Sequence, residues 1–205
     1  FMYRHHAQTL KVQELVKSGS LGALKLIRGS FSFVLTREGD VRLDPSMGGG
    51  SIWDVGCYPI SYARSVIGEN PLEVFGWQVT GPTGTDDTFV GQLRFGHDVY
   101  TQFDCSFIMP FHALMEIVGS EGTLSIPEPY KPYTDEKIYL TRGDKTETIK
   151  IKGQELYLGE VEDMADAILL GRDPRISLED SCANVAVIVA LLESARSGKS
   201  VSVNY

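Results

Sequence analysis

Gly48 to Ile60 read GGGSIWDVGCYPI, and in them Asp54 and Tyr58 stand four residues apart. At helical spacing, i and i+4, the two share a face. A tyrosine, whose ordinary pKa is about 10, can serve as a general acid, giving its proton to an alkoxide formed from a carbonyl. The reverse step at neutral pH needs a phenolate, and so a neighbouring cation such as a lysine ammonium. An aspartate one turn away can orient substrate hydroxyls or that lysine. The same residues also suit structural duties. Asp54 fits an acid favoured by the helix dipole in a first turn. Tyr58 fits a core ring with a hydrogen-bonded hydroxyl.

The three glycines allow close approach of backbone to a ligand or to another strand. They do not form a nucleotide loop. Neither GxGxxG nor GxxxxGK followed by Ser or Thr occurs here, and the stretch before them, TREGDVRLDPSM, is a polar loop, not a strand. A helix is expected from about Gly50 to Ile67, stopped by Gly68, with Pro59 kinking it from inside.

The elements around it follow from periodicity. HAQTLKVQELVKSG carries a rough helical stripe and ends at Gly19. ALKLIRGSFSFVL reads as a long strand, with Lys25, Ile27, Phe31 and Phe33 on one face and Leu24, Leu26, Arg28, Ser30 and Ser32 on the other. LEVFGWQVTG, DTFVGQLRF, DVYTQFDCSF, ALMEIVG and GTLSIPE are further strands. Gly96-His97 and the GSEG of 119–122 mark hairpins, as does Gly143-Asp144 between KIYLTR and TETIKI. YLGEVEDMADAILLG is a helix ending at Gly171. ISLEDSCANVAVIVALLESARSG is another, opened by Ser177 with Asp180 three residues on in a capping-box arrangement and closed by Gly198. Lys199 to Asn204 suit a last edge strand.

Runs of strands joined by hairpins, in place of alternating strand and helix units, indicate an α+β fold. It should have a large open, predominantly antiparallel sheet with helices packed on one face. Phe103, Cys105 and Phe107 alternate with Gln102, Asp104 and Ser106; Phe89, Leu93 and Phe95 alternate with Val90, Gln92 and Arg94. One sheet face is therefore core. The other is mixed and, with Phe75 and Trp77, partly aromatic, which suits either a subunit interface or a solvated face.

Composition bounds the rest. The 205 residues hold enough apolar material for one sizeable core. A formal charge of −8 argues against a general nucleic-acid binder. No apolar run is long enough to span a bilayer, and FMYRHHAQ lacks the apolar core of a signal peptide. Cys57, Cys105 and Cys182 form neither a disulfide framework nor a metal spacing, and read as buried reduced thiols of a cytoplasmic protein. His97 and His112 stand too far apart to suggest a metal site. Asp86-Asp87 reads as a solvated turn. Met109-Pro110-Phe111 suits packing or an apolar wall. Pro127 to Tyr133 suits an irregular loop open to a substrate or partner role. The chain opens on Phe1, not methionine, as a piece of a longer protein would.

GGGSIWDVGCYPI, with RLDP just upstream, resembles the start of the long helix in the C-terminal domain of the glucose–fructose oxidoreductase / inositol dehydrogenase (Gfo/Idh/MocA) family. FMYRHHAQ resembles the junction after the last Rossmann strand, SGSLGALKLIRGSF the entry to the first sheet strand, and EIVGSEGTLSIPEPY the family's hairpin. ALLESARSGKSVSV resembles its C-terminal helix and tail. The order and spacing of these pieces span almost the whole chain.

The resemblance implies that residues 1–205 are the substrate-binding and dimerisation half of a two-domain NAD(P)-dependent oxidoreductase. It would act on a CH–OH group of a sugar, polyol or related molecule. Tyr58 matches the proton donor/acceptor of the tyrosine-type, aldose and dihydrodiol dehydrogenase branch. Asp54 matches the acid that contacts substrate or supports the catalytic pair. Arg42 matches a substrate contact; Arg4, His5 and Trp53 are further candidates along the cleft. Two family features are missing: the glycine-rich dinucleotide loop and the Glu-Lys-Pro motif whose lysine pairs with the tyrosine. Both belong to the Rossmann half, so this chain alone is expected to bind no NAD(P) and no metal, to be inactive, and to self-associate through its open sheet face. Ligand-sensing and glycoside-cleaving members of the family are the alternatives.

Overall fold

The computed structural model describes residues 1–205. Helix α1 (Ala7–Lys17) follows a short 3-10 turn at Met2–His5 and leads into β1 (Leu24–Ser32). A loop with two 3-10 turns reaches a π turn, Ile52–Gly56, that runs directly into α2 (Cys57–Ile67). Then come β2 (Glu73–Thr80), β3 (Asp86–Arg94), β4 (Tyr100–Ser106), β5 (His112–Gly119), β6 (Thr123–Ile126), β7 (Asp135–Arg142) and β8 (Lys145–Lys152). Helices α3 (Leu158–Leu170) and α4 (Leu178–Ser197) precede a two-residue β9 (Val201–Ser202).

All nine strands form one sheet in the order β8-β7-β6-β5-β1-β4-β3-β2-β9. The fold is α+β and the sheet mostly antiparallel; β1 and β4 alone run parallel, since α2 and the β2–β3 hairpin lie between them in sequence. The expected hairpins join β3 to β4, β5 to β6 and β7 to β8. Helices α2 and α4 cover one face, where Ile27, Phe31, Phe89, Leu93, Phe103 and Cys105 meet Ile60, Ala63, Val187 and Leu191 in the core.

On the other face the Phe75 and Trp77 rings pair at 4.3 Å, Trp77 stands opposite Val90, and Arg94 opposite Tyr100. Trp77 remains 55% exposed. Arg28 bridges to Glu116 across β1 and β5 on this face, and Ser30 Oγ donates to Asp104 at 2.7 Å. Aromatic and polar groups thus share an uncovered surface.

Several local expectations change. Lys25 is exposed, because the β1–β5 register shifts between Leu24 and Leu26. Pro59 does not break its helix: it falls in the first turn of α2, and the π turn before it adjusts the backbone to a missing amide donor. Ser177 Oγ accepts from the Asp180 amide, but the Asp180 carboxylate turns away from the box to bind Arg4 and Arg64. Cys57 and Cys105 are buried, whereas Cys182 is exposed on α4. Asp86 is no solvated turn; it is 4% exposed, for a reason given below.

Candidate active site

The glycine-led turn is held from three sides. The Gly50 amide donates to the Arg42 carbonyl at 2.9 Å and the Gly49 amide to that of Asp44 at 2.9 Å. A Cβ on Gly49 would meet the Arg42 carbonyl oxygen at 2.5 Å. Gly50, at φ 130°, lies against Asp86, whose Oδ1 a Cβ would meet at 2.1 Å. Asp86 reaches over from β3, accepting from Ser51 Oγ at 2.6 Å and from the Ile52 amide at 2.8 Å. It caps the start of the site helix with a charged acceptor. Burial pushes its carboxyl above the usual range, and the two donors oppose that shift. Nothing in an Asp-Asp pair between polar neighbours distinguishes this capping role from a turn.

The glycine amides are therefore used inside the chain. They cannot cradle a pyrophosphate, and no other glycine-rich strand-to-helix turn exists here. The chain's own residues do not fit a dinucleotide. No group of three or more His, Cys, Asp or Glu side chains is placed to hold a metal ion either.

Beyond β1 the chain continues extended. The Phe33 and Leu35 amides donate to the carbonyls of Ser106 and Phe107 at 3.0 and 2.8 Å, so Phe31, Phe33 and Leu35 keep a common face. That face walls a cavity of about 370 Å³. Val55, Tyr58, Asp54, Arg42, Phe111 and Lys131 complete it. The site thus joins Asp54 and Tyr58, one turn apart, with Arg42 from the preceding loop.

Arg42 Nε lies 2.8 Å from Asp54 Oδ2, and Arg42 Nη1 3.2 Å from Asp40 Oδ1. The Asp54 contact, ahead of Asp40, holds the guanidinium charge more firmly than usual. The Asp40 carboxylate also accepts the Arg42 amide at 3.0 Å, which keeps its own pKa below the normal range. Asp54 is thereby steered by a cation from its own chain.

Tyr58 is half-buried in a box of rings: Phe1 at 5.3 Å, Phe31 at 5.3 Å, Tyr130 at 5.7 Å and Tyr3 at 5.8 Å between centroids. Tyr3, fully buried, donates its hydroxyl to the Tyr58 carbonyl at 3.1 Å and stacks on Tyr62 at 5.4 Å. Tyr58 hydrogen-bonds within the chain through its carbonyl, not its hydroxyl, and its side chain lines the cavity. Burial pushes the phenol up to about 12, and the nearby Cys57 and Asp54 push the same way. Within this chain burial thus keeps the Tyr58 phenol protonated.

The other named candidates lie elsewhere. Arg4 is buried, donating to Ser61 Oγ at 3.1 Å and pairing with Asp180 at 3.2 Å; with Arg64 it ties the chain's start to α2 and α4. His5 Nδ1 lies 3.9 Å from Asp163 on α3, and burial lowers its pKa ahead of the opposing pull of that acid. Trp53 packs half-buried against the core and does not line the cavity. In FMYRHH, then, Phe1 and Tyr3 reach the Tyr58 box while Arg4 and His5 do not. Phe111, from the Met109-Pro110-Phe111 segment, and Lys131, from the Pro127–Tyr133 loop, also line the cavity.

A single tyrosine is thus offered to a cavity by a helix that rests on an open, mostly antiparallel sheet. The family model described as the GFO/IDH/MocA C-terminal domain matches residues 9–125, more than half of the chain, and the chain belongs to the GFO/IDH/MocA family. Among curated proteins it is similar to D-xylose 1-dehydrogenase (NADP(+)) 2 of Haloferax volcanii, at 32% identity over 100% of this chain and 63% of that protein. Among solved structures it is similar to aldose-aldose oxidoreductase from Caulobacter crescentus complexed with glycerol. There the TM-score is 0.91 and the identity 22%, over 99% of this chain and 62% of that one. It is also similar to a 3-ketoreductase from Actinomadura kijaniata in complex with NADP and TDP-benzene. That match has a TM-score of 0.89 and 23% identity, over 95% of this chain and 61% of that one. The chain thus spans less than two thirds of the length of these relatives. No helix in it is long and apolar enough to cross a membrane.

Proposed function

We propose that this chain is the substrate-binding half of an NAD(P)-dependent oxidoreductase acting on a CH–OH group of a sugar, polyol or related small molecule. The observation that carries the reading is the Tyr58 hydroxyl, free of protein partners in a cavity it shares with Asp54. In the oxidising direction Tyr58, as phenolate, takes the proton from the substrate hydroxyl oxygen; in the reducing direction it returns that proton. Asp54, fixed by Arg42, accepts a hydrogen bond from a neighbouring substrate hydroxyl. Phe31, Phe33 and Phe111 exclude water and receive the apolar edge of the ring. The nicotinamide, which takes or gives the hydride, is brought by a Rossmann half that this chain does not contain, along with the cation that brings the Tyr58 phenol within reach of neutral pH.

Two surfaces support a larger assembly. α3 buries none of its residues, leaving Val161, Met164 and Ile168 uncovered along one stripe, a face on which the nucleotide-binding half would sit. The open sheet face, with Trp77, Val90 and Tyr100, would pair with a second copy. Reduced cysteines agree with a cytoplasmic setting.

The direct test supplies the full-length protein with NAD⁺ or NADP⁺ and a panel of aldoses and polyols, and follows reduced nicotinamide by absorbance. Turnover of at least one compound is expected, and none with this chain alone. An inactive full-length protein, or nucleotide-linked turnover by the isolated chain, would overturn the reading.

A further inference from the structure

Lys131 is placed by its neighbours. Tyr130 before it is fully buried, stacked on Phe31 at 4.8 Å, with its hydroxyl donating to Met115 Sδ at 3.1 Å. Pro132 after it is buried too, and the Tyr133 amide donates to Glu136 Oε1 at 2.6 Å. An otherwise irregular loop is therefore anchored on both sides of one residue. The Lys131 side chain lines the Tyr58 cavity, its ammonium 6.0 Å from the Phe31 ring centroid. It also lines an adjoining cavity of about 390 Å³, flanked by Tyr133 and Tyr157.

The two cations of the Tyr58 cavity differ. Arg42 is engaged by Asp40 and Asp54, whereas Lys131 forms no salt bridge and donates no hydrogen bond. Most of the remaining lining is apolar: Phe31, Phe33, Leu35, Val55, Tyr58 and Phe111. Lys131 itself is exposed, so solvent screens part of its charge, while the apolar walls strengthen its field on the cavity side. The chain as a whole carries −8, so an anion approaching the site needs a local cation to hold it.

We infer that the substrate carries an anionic substituent, a carboxylate or a phosphate, which the Lys131 ammonium binds while the reacting hydroxyl faces Tyr58 and Asp54. This rests on the reading of the Tyr58 cavity as the substrate site, and narrows its substrate class. A lysine ammonium offers rotatable donors that suit either anion. Asp54, itself negative, repels the anion and so fixes which end of the molecule lies toward Tyr58.

The test uses the full-length protein with matched probes: D-glucose, D-glucuronate and D-glucose 6-phosphate. Turnover and, independently of it, saturation-transfer NMR binding are measured for wild type, Lys131→Gln and Lys131→Arg. The expected result is tighter use of at least one anionic probe than of glucose. Lys131→Gln should raise KM or the dissociation constant for that probe by about tenfold or more, as expected for loss of a charge-assisted hydrogen bond. The loss for glucose should be several-fold smaller than for the anionic probe, and Lys131→Arg should restore part of the affinity. The probe affected identifies the anion. A substitution that alters all three probes equally, or none, overturns the inference while leaving turnover, and hence the proposed function, intact. If no probe is turned over but binding of an anionic probe still depends on Lys131, the anion site at Lys131 stands and the presentation of these sugars' hydroxyls to Tyr58 falls.

Discussion

Asp86→Ala is the sharpest structural perturbation of the site that leaves every cavity-lining residue in place. It removes the acceptor of two buried hydrogen bonds, from Ser51 Oγ at 2.6 Å and from the Ile52 amide at 2.8 Å. Hydrogen bonds to a charged acceptor contribute about 1.5–3 kcal/mol each, and donors left unpaired add their own cost. Against this stands relief of the burial that raises the Asp86 pKa. The balance is a loss of about 3 kcal/mol. For a chain of this size 1 kcal/mol shifts Tm by about 2–4 °C, so the midpoint should fall by about 6–12 °C. Asp86→Asn keeps one acceptor oxygen and the side-chain shape, and should cost about 1 kcal/mol. Thermal melts of the chain followed by far-UV circular dichroism measure both. If Asp86→Ala melts with the wild type, Asp86 does not anchor the turn, and the account of how Asp54 and Tyr58 are positioned is refuted.

Four other outcomes follow from the same structure. In the isolated chain, tyrosinate absorbance should show Tyr58 ionising at about 12, because burial opposes its charge; its absence from the Tyr58→Phe difference titration near that pH would contradict this. The folded-state pKa of Tyr58 is raised above the ordinary value of about 10, and burial raises Tyr3, Tyr62 and Tyr130 in the same direction. Stability is therefore full below about pH 10 and lost as pH rises through the folded values, which alkaline melts would show as a falling Tm; a Tm flat across that range would contradict it. Amide exchange in α3 should be fast in the isolated chain and slow in the full-length protein, since the helix buries none of its residues; equal protection in both would mean that nothing seats on it. Trp77→Asp should abolish self-association in sedimentation at micromolar concentration, and a wild-type chain that sediments only as monomer would dismiss the sheet-face interface.

The fold was legible where periodicity and turn chemistry were strong. Alternating Phe89, Leu93, Phe103 and Cys105 marked the core face, and Gly-containing hairpins placed the antiparallel neighbours. The parallel pairing of β1 with β4 was not, because no local signal records which strands meet after a long crossover. In the site, helical spacing put Asp54 and Tyr58 on one face and the family resemblance added Arg42; the structure brings all three to one cavity. Asp86 and Tyr3 were not legible, and Lys131 was seen only as part of the irregular Pro127–Tyr133 loop. Each acts through a contact distant in sequence: Asp86 on Ser51, Tyr3 on the Tyr58 carbonyl, and Lys131 above Phe31. Arg4 lies outside this cavity, held by Asp180, 176 residues away in sequence. The sequence put an irregularity at Pro59, and the structure has a π turn directly before it, since the proline marks a missing donor without saying how the backbone accommodates it.

Proton transfer through Tyr58 is best tested by Tyr58→Phe in the full-length protein, which removes one oxygen and keeps the ring in its aromatic box. Single-turnover hydride transfer should slow by about 10²–10⁴-fold with substrate affinity little changed. A variant that transfers hydride at the wild-type rate would show that the phenol carries no proton in the reaction.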